Sequence, residues 1–421
     1  MAVVYTAVAI TPLLTVTRRR LLLAVLCFLA AAPSGRAQDP APAAAQEDTR
    51  TQYPRLLVNS YFSINIGRID YPFTTAQLEP GFTTATIDIP RIAVRAVLIG
   101  HQFTPYLSIQ AHYLRPVQYL AYRQINGEDV SGHVWMHFGG VTAKSQLPLG
   151  RRAAVYGEAG VGLTSRRGFE IGTTPVVRDS HFANALFGGG LEYHVNRRWD
   201  LTAGTLLSTG HSGQNQPHTL FTSGGFRYTM RALPADVVAA NGRAGYHFPE
   251  HVVQVSYTTG GLGYGFNTLV SKKVPIFWGG NVLIDQGFAV HYERNVFHTR
   301  KLFGLDVGAS AGFWKSRDQG EWFQTLSVYP LFRFTFLRTR TTDVYFAYSL
   351  AGPTYMSKSV VDGRATGNAF TFQDFMGLGL FLGPNRRVNV GVKINHYSNG
   401  NIFTQNAGVK IPLTISVGYA F

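Results

Sequence analysis

Cysteine, charged side chains and long apolar runs are all scarce in this sequence. Cys27 is the one cysteine among 421 residues, so a disulfide framework and thiolate metal sites are excluded downstream of it. Only 14% of the residues are charged, well below the roughly 25% of an ordinary soluble domain. Past the N-terminal segment no apolar run reaches the roughly 18 residues of a membrane-spanning helix. A helical membrane protein is therefore excluded.

Glycine and aromatic residues are abundant instead. The chain has 45 glycines, 13% of its residues are aromatic, and its mean hydropathy is +0.01. This composition is typical of strands in which apolar and polar residues alternate, with lipid on one face and water on the other. It favours an all-β protein of the outer-membrane barrel class.

The N-terminus has the pattern of a cleaved signal peptide. Three arginines at 18–20 precede an apolar run over 21–32, and residues 35–37 place small side chains at the two positions that a signal peptidase reads. We expect residues 1–37 to be removed on export to the bacterial outer membrane. Residues 38–52, rich in Ala, Pro and Gln, are expected to form a flexible leader.

The rest of the sequence divides into strand-length segments without a convincing helix. The Gly-rich string at 260–265 is expected to lie within one of these strands, because no helix is predicted after it. The predicted strands are 55–68, 89–101, 106–120, 132–147, 152–165, 182–195, 199–210 and 219–230 in the first half, and 251–266, 274–294, 302–316, 322–337, 342–357, 369–382, 387–399 and 408–421 in the second.

The two halves look like tandem units. Short basic turns alternate with longer polar connections, as in outer-membrane barrels. Asn-Arg-Arg precedes the penultimate strand in each half, at 196–198 and at 385–387. We therefore predict two antiparallel up-and-down barrels of eight strands each, at 53–230 and 250–421, joined by a linker at 231–249. One barrel of about sixteen strands is the alternative.

The last predicted strand alternates strictly and ends on an aromatic residue. Its polar face includes Lys410, and the sequence ends at Phe421, which resembles the terminal signature of bacterial outer-membrane proteins. The apolar face is formed by Val409, Ile411, Leu413, Ile415, Val417, Tyr419 and Phe421.

A polar pair interrupts the apolar face of the penultimate strand. The even positions of 387–399 are apolar up to Ile394, and His396 and Ser398 continue this lipid-facing stripe, where an unpaired polar pair is costly. Residues two apart on a strand point the same way, so the imidazole could take the proton of the Ser398 hydroxyl. Asn399 could donate to a developing oxyanion.

These residues resemble the lipid A 3-O-deacylase (PagL) family of outer-membrane acyl hydrolases. The resemblance is strongest over His396, Ser398 and Asn399, includes the segment Asn-Ala-Gly-Val at 406–409, and extends loosely over 250–421. It implies a lipid-facing site with Ser398 as nucleophile, His396 as general base and supporting roles for Asn399 and Asn406. The implied substrate is an ester-linked acyl chain of lipopolysaccharide.

One residue departs from the family's pattern. The family's acidic residue lies fourteen positions after the histidine, where this sequence has Lys410. An ammonium group cannot accept a proton from imidazole. If the two preceding strands pair across their tight turn with Leu382 opposite Val388, Asp374 lies opposite His396 and could replace the missing acid. A luminal structural role for Asp374 is the alternative.

The first half lacks this site. Alignment through Asn-Arg-Arg places Leu207 where His396 lies and Thr209 where Ser398 lies. Residues 53–230 resemble the OmpA-like eight-stranded barrels, and no motif in them specifies chemistry.

The net charge of +15 has two interpretations. Basic residues in turns such as 338–340 are expected to be solvated periplasmic anchors, whereas those in outward loops fit an anionic lipid partner. Guanidinium and ammonium groups in outward loops pair well with phosphate oxygens, such as those of lipid A. The candidates are Arg166, Arg167, Lys315, Arg317, Lys358 and Arg364. Because the basic residues are dispersed among the strands, nucleic acid is not expected as a partner.

Two classes of function follow from the sequence. One is an outer-membrane esterase that deacylates lipid A. The other is a non-catalytic structural or binding barrel, since Lys410 replaces the acid. We expect no cofactor and no metal in either case, because the His, Asp and Glu residues lack metal-ligand spacing. Association into a homo-oligomer is compatible with both.

Overall fold

The computed structural model describes residues 48–273, 279–403 and 405–421. The predicted signal peptide, most of the predicted leader and residues 274–278 of a predicted strand lie outside these ranges.

Within the described residues, eight strands form the first barrel. Each strand pairs antiparallel with its neighbour in the chain, and the last pairs with the first, which closes the barrel. The strands are β1 (Ser60–Asp70), β2 (Ile92–Gln102), β3 (Leu107–Pro116), β4 (Ser131–Pro148), β5 (Ala153–Arg167), β6 (Ser180–His194), β7 (Trp199–Ser208) and β8 (Thr219–Thr229).

Eight further strands in the described ranges form the second barrel. Its last strand pairs with its own first strand, so the two tandem barrels are confirmed and one large barrel is excluded. The strands are β9 (His251–Thr259), β10 (Val282–His298), β11 (Phe303–Ser316), β12 (Trp322–Arg338), β13 (Thr342–Met356), β14 (Phe370–Leu382), β15 (Val388–Ser398) and β16 (Val409–Ala420).

The prediction of a chain without helices is wrong in two places. Helix α1 (Ala235–Gly242) follows Pro234 in the linker, where proline's fixed φ suits the entry to a helix. Helix α2 (Gly265–Lys273) begins in the last two residues of the predicted strand 251–266 and continues through the connection predicted after it.

The Gly-rich string is therefore not part of a strand. β9 ends at Thr259, and the chain turns through a 3-10 helix at Gly260–Leu262. Glycine has no side chain to pack on a sheet face, and Gly263, which ends the 3-10 helix, takes a positive φ of 75°.

Within the described ranges, no helix is long and apolar enough to cross a membrane.

Short strands that the sequence analysis does not predict extend the outward connections. Two hairpins are formed by Phe169–Ile171 with Thr174–Val177 and by Val360–Val361 with Arg364–Ala365, and Leu120–Arg123 pairs with both β4 and Thr86–Asp88 of another connection.

Side chains alternate between an apolar outer face and a more polar interior. In β16, Ile415, Val417 and Tyr419 are 43%, 57% and 49% exposed, whereas Thr414 and Ser416 are buried inside. An apolar outer face on a closed barrel is what a bilayer requires, since lipid offers no partner for backbone groups. The chain is an outer-membrane β-barrel protein.

Buried ion pairs fill both interiors. In the first barrel Arg95 donates to both oxygens of Glu158 at 2.7 Å. In the second, Arg333 lies 2.7 Å from Glu293 and from Asp306. Each charge has a partner of the opposite sign, which offsets the cost of removing it from water.

Connection lengths distinguish the two ends of the barrels. One end carries the short turns 103–106, 149–152, 195–198, 299–302, 339–341 and 383–387. The other end carries the connections 71–91, 117–130, 168–179, 209–218, 260–281, 317–321, 357–369 and 399–408. In this class the end with the longer loops faces outward.

The last residues of the predicted leader are held in place. Asp48 accepts from His298 Nε2 at 2.9 Å. Just after the leader, the hydroxyls of Tyr53 and Tyr228 are 2.8 Å apart, and the Tyr53 ring lies 4.4 Å from that of Phe297. This segment therefore joins both barrels at the short-turn end.

β16 contains a bulge that the sequence alternation hides. Lys393 pairs with Thr414, but Asn395 pairs with Ile411, so β16 has one residue more than β15 between these pairs. Pro412 lies in this interval and has no N–H to donate to the sheet, which suits it to a bulge.

The bulge changes the face of the first residues of β16. Val409 and Ile411 are 1% and 0% exposed and pack inside the barrel, so the prediction that they face lipid is wrong. Lys410 pairs with His396 and lies on the same outer face. The uninterrupted alternation of 409–421 predicts Lys410 on the polar, luminal face, and that prediction is wrong.

The closure of the second barrel can be tested with paired cysteines. Val255 and Val417 are directly opposite in β9 and β16, so Val255→Cys with Val417→Cys should give a disulfide when the folded protein is oxidised. A shift on a non-reducing gel measures it. The matched control, Ile66→Cys with Val417→Cys, would link β1 to β16. A bond in the control pair instead would contradict two separate barrels.

Candidate functional site

The candidate site lies on the outer face of β15 at its outward end. Lys393, Asn395 and Tyr397 are 6%, 2% and 1% exposed and point into the barrel. His396 and Ser398 therefore point outward, as the sequence pattern predicts.

Three side chains form a row across neighbouring strands. His396 pairs with Asp374 of β14 on one side and with Lys410 of β16 on the other. The predicted register is observed, with Leu382 opposite Val388. Because paired residues share a face, Asp374 is not luminal. The histidine thus lies between an acidic and a basic neighbour.

Asp374 is close to the imidazole without bonding to it. Its Oδ2 is 3.9 Å from His396 Nδ1, which exceeds hydrogen-bond length. Its Oδ1 accepts from the backbone N–H of Ala351 at 2.6 Å. Ala351 lies in a bulge of β13 with a left-handed φ of 51°. The bulge presents this N–H to the carboxylate and fixes its position.

His396 is covered by protein, so the prediction that it is exposed to lipid is wrong. It is 1% exposed, and its Nε2 donates to the backbone carbonyl of Gly279 at 2.6 Å. The covering segment, Gly279–Val282, is held against the residues just before β16, because Asn281 N donates to Ala407 O at 2.6 Å and Val282 N to Gly408 O at 3.1 Å. We call this segment the strap. It shields the imidazole from the bilayer.

Glycine is required at position 408 for this cover. Gly408 has a left-handed φ of 59°, and a Cβ there would lie 3.0 Å from the Gly279 carbonyl oxygen and 3.6 Å from His396 Nε2. A side chain would both strain the backbone and crowd the strap.

The connection after Ser398 holds its hydroxyl oxygen. Ser398 Oγ accepts from Asn406 Nδ2 at 2.7 Å and from Gly400 N at 3.1 Å. Asn406 also accepts from Asn399 N at 3.1 Å and donates to Asn401 Oδ1 at 2.9 Å. One asparagine side chain thereby fixes both the nucleophile candidate and the loop around it.

Asn399 has an unusual environment. Its side chain is 0% exposed, and within the described residues neither its oxygen nor its nitrogen has a hydrogen-bond partner. A buried amide without partners is costly. It suits a donor that acquires its partner only when a substrate binds.

The first barrel has no equivalent site. Thr209, at the position that corresponds to Ser398, accepts from Ala185 N at 3.0 Å and so has a structural role. Leu207, at the position that corresponds to His396, is apolar.

Some of the predicted phosphate-binding cations are buried or already form ion pairs. Arg166 is 4% exposed, so its expected role in an outward loop is wrong. Lys358 pairs with Glu321 at 2.9 Å and Arg364 with Asp318 at 2.8 Å. Arg167 and Arg317 are exposed.

Two parts of the site could not be predicted from the sequence. The strap at Gly279 and the Ala351 bulge approach from distant strands, and neither leaves a local pattern. Pro412 and Gly408 are the signals that could have indicated irregular backbone at the start of β16.

Comparisons with known proteins concern mainly the second barrel. Residues 286–420 match the family model described as lipid A 3-O-deacylase (PagL). A similar protein, the lipid A deacylase PagL of Bordetella bronchiseptica, is 28% identical over 148 residues, which cover 31% of this chain and 79% of that protein.

Solved structures of outer-membrane barrels are also similar. The outer membrane enzyme PagL is 18% identical, with 41% of this chain and 98% of that chain covered and a TM-score of 0.28. The N-terminal β-barrel domain of OprF from Pseudomonas aeruginosa is 15% identical, with 41% and 98% covered and a TM-score of 0.25.

The role of Asn406 can be tested by amide exchange. Asn406→Ala removes the acceptor for Asn399 N and a donor to Ser398, so the Asn399 and Gly400 amides should exchange about fivefold to tenfold faster. Hydrogen exchange of the protein in lipid nanodiscs measures this. Gln319→Ala, in another outward loop, is the control and should leave both amides unchanged. Equal exchange in all three proteins would contradict the assigned contacts.

Proposed function

We propose that the protein is an outer-membrane esterase that removes an acyl chain from lipid A through Ser398 and His396. One observation carries this proposal, namely an outward-facing histidine and serine two residues apart, with Asp374 opposite the histidine, at the long-loop end of a barrel. The match of residues 286–420 to the lipid A 3-O-deacylase family supports the same bond and substrate.

Ser398 is the nucleophile in this mechanism. Asn406 and Gly400 donate to its oxygen, which leaves the hydroxyl proton for transfer to His396. As the proton moves to the imidazole, Oγ attacks the ester carbonyl carbon. The tetrahedral intermediate then expels the alcohol, which takes the proton back from His396. Water hydrolyses the acyl-enzyme by the same steps, with His396 as base again.

The imidazole must first leave the strap. His396 Nε2 is engaged by Gly279, and a ring that donates there cannot accept the serine proton through the same atom. Displacement of the strap by an entering acyl chain frees this nitrogen, and the substrate then takes the place of the strap over the site.

The charged neighbours of His396 act on the positive charge that forms on the imidazole during attack. Asp374 stabilises the imidazolium that forms during attack, whereas Lys410 opposes it. Lys410 lies on the outer face, where its ammonium can contact the lipid A phosphates or carbonyls. Asn399, with its buried and unpartnered amide, is the proposed donor to the oxyanion.

A non-catalytic barrel is the second candidate. The Gly279 contact favours it, because His396 Nε2 donates to the strap and Asp374 Oδ2 lies 3.9 Å from His396 Nδ1, beyond hydrogen-bond length.

Removal of the nucleophile separates the two candidates. Ser398→Ala should reduce the release of fatty acid from lipid A at least about 10³-fold, because no acyl-enzyme can form. Mass spectrometry of lipid A measures the acyl content. Ser359→Ala, in an exposed outward loop, should retain full activity. Identical acyl composition with the parent and Ser398→Ala, both folded in the membrane, would exclude the esterase.

The proposal that Asp374 takes the role of the family's acidic residue can be tested by exchanging charges around His396. Asp374→Asn should lower kcat about 10²-fold, because the imidazolium loses its carboxylate. When Lys410→Glu is added to the Asp374→Asn variant, kcat should rise about tenfold, since the new carboxylate lies beside His396 on the strand opposite Asp374. Steady-state hydrolysis of lipid A measures both. Unchanged kcat in Asp374→Asn would contradict its role.

A further inference from the structure

The loop that follows Ser398 lies against the outer wall of the first barrel. Tyr113 Oη of β3 donates to the Gly400 carbonyl at 3.1 Å. His137 Nε2 of β4 accepts from Asn401 Nδ2 at 3.4 Å. A Cβ at Gly139 of the same wall would lie 3.8 Å from Ile402. The two barrels therefore meet at the candidate site.

Tyr113 and His137 belong to the outer face of the first barrel. Their neighbours Leu114 and Phe138 are 1% and 2% exposed and form part of the interior apolar cluster, so the alternation directs Tyr113 and His137 outward. His137 is nonetheless only 4% exposed. A polar side chain on the outer face of a membrane strand is costly unless something covers it. The Ser398 loop provides this cover.

Both groups that donate to the Ser398 oxygen are linked to this wall. The Gly400 residue that donates its N–H to Ser398 also receives the Tyr113 hydroxyl at its carbonyl. The Asn406 side chain that donates to Ser398 also donates to Asn401. Asn401 in turn donates to His137, so the Asn406 side chain is also linked to the first barrel.

We propose that the first barrel positions the nucleophile of the second, with Tyr113 and His137 as positioning residues. The inference rests on the esterase proposed above. Neither residue touches the reacting atoms. They restrict the Gly400 peptide and the Asn401 side chain, and through them the position of Ser398 Oγ.

Loss of these contacts should affect kcat more than KM. A looser loop lowers the fraction of molecules in which Oγ can attack, while the acyl chain still binds on the second barrel. Tyr113→Phe removes one hydrogen bond and should lower kcat about fivefold, with KM within about twofold.

The His137 contact offers a conservative rescue. His137→Leu removes the acceptor for Asn401 and should lower kcat by a similar, roughly fivefold factor. His137→Gln retains an acceptor oxygen and should recover most of the loss. The matched controls are His133→Leu and Tyr193→Phe, which lie exposed on the same barrel away from the loop and should leave kcat unchanged.

A second measurement does not need activity. Hydrogen exchange of the full chain in nanodiscs reports the Asn399 and Ile402 amides of this loop, which donate to Asn406 Oδ1 and to the Asn399 carbonyl. Tyr113→Phe and His137→Leu should accelerate their exchange about fivefold, while the Thr342 amide at the start of β13 stays unchanged. Comparison with Ser398→Ala separates the two proposals, since that variant should lose activity and keep both of these amides protected, because neither donates to Ser398.

The outcomes are distinguishable. Lower kcat with faster exchange in both variants, and rescue by His137→Gln, would support the inference. Full kcat and unchanged exchange would overturn it, as would an equal loss in the His133→Leu and Tyr193→Phe controls. A parent protein that releases no fatty acid would overturn the esterase, and the exchange data would then decide only whether the first barrel holds the loop.

Discussion

Closure of each sheet on itself is the constraint on which the rest of the structure depends. Lipid offers the backbone no hydrogen-bond partner, so every strand needs a neighbour on each side. The pairings of β1 with β8 and of β9 with β16 complete the hydrogen bonding of the two sheets. Closure fixes which side chains face outward. It thereby makes any polar group on an outer wall costly unless protein covers it. His396 and His137 are two such groups, and both are covered.

The site depends on departures from regular pairing. The bulge in β16 turns Lys410 outward, and the bulge in β13 supplies the Ala351 N–H that holds Asp374. β9 ends at Thr259, and the start of β10 then pairs directly with β16, which brings the strap over His396. A perfectly regular barrel would leave His396 bare in the lipid. Irregularity at the outward rim thus encloses the polar groups of the candidate site.

Much of this architecture follows from the sequence, because period-two alternation and turn residues are local signals. The strands and the β14–β15 register, including Asp374 opposite His396, could be predicted since a tight turn fixes the pairing. The alternation does not reveal the bulge at Pro412, because an extra residue shifts the alternation without leaving a gap in it, so Pro412 and Gly408 are its signals in the sequence. The strap and the contact of Tyr113 with Gly400 join residues far apart in the chain, and neither has a local pattern.

Covalent labelling of the nucleophile tests the central claim most directly. The full chain, folded in bilayers, would be treated with a lipophilic fluorophosphonate, and the modified peptide would be identified by mass spectrometry. We expect one adduct on Ser398 in the parent and none in a His396→Ala variant, since the serine needs the imidazole to react. A parent that remains unlabelled, or carries the adduct on another serine, would contradict a Ser398 and His396 hydrolase.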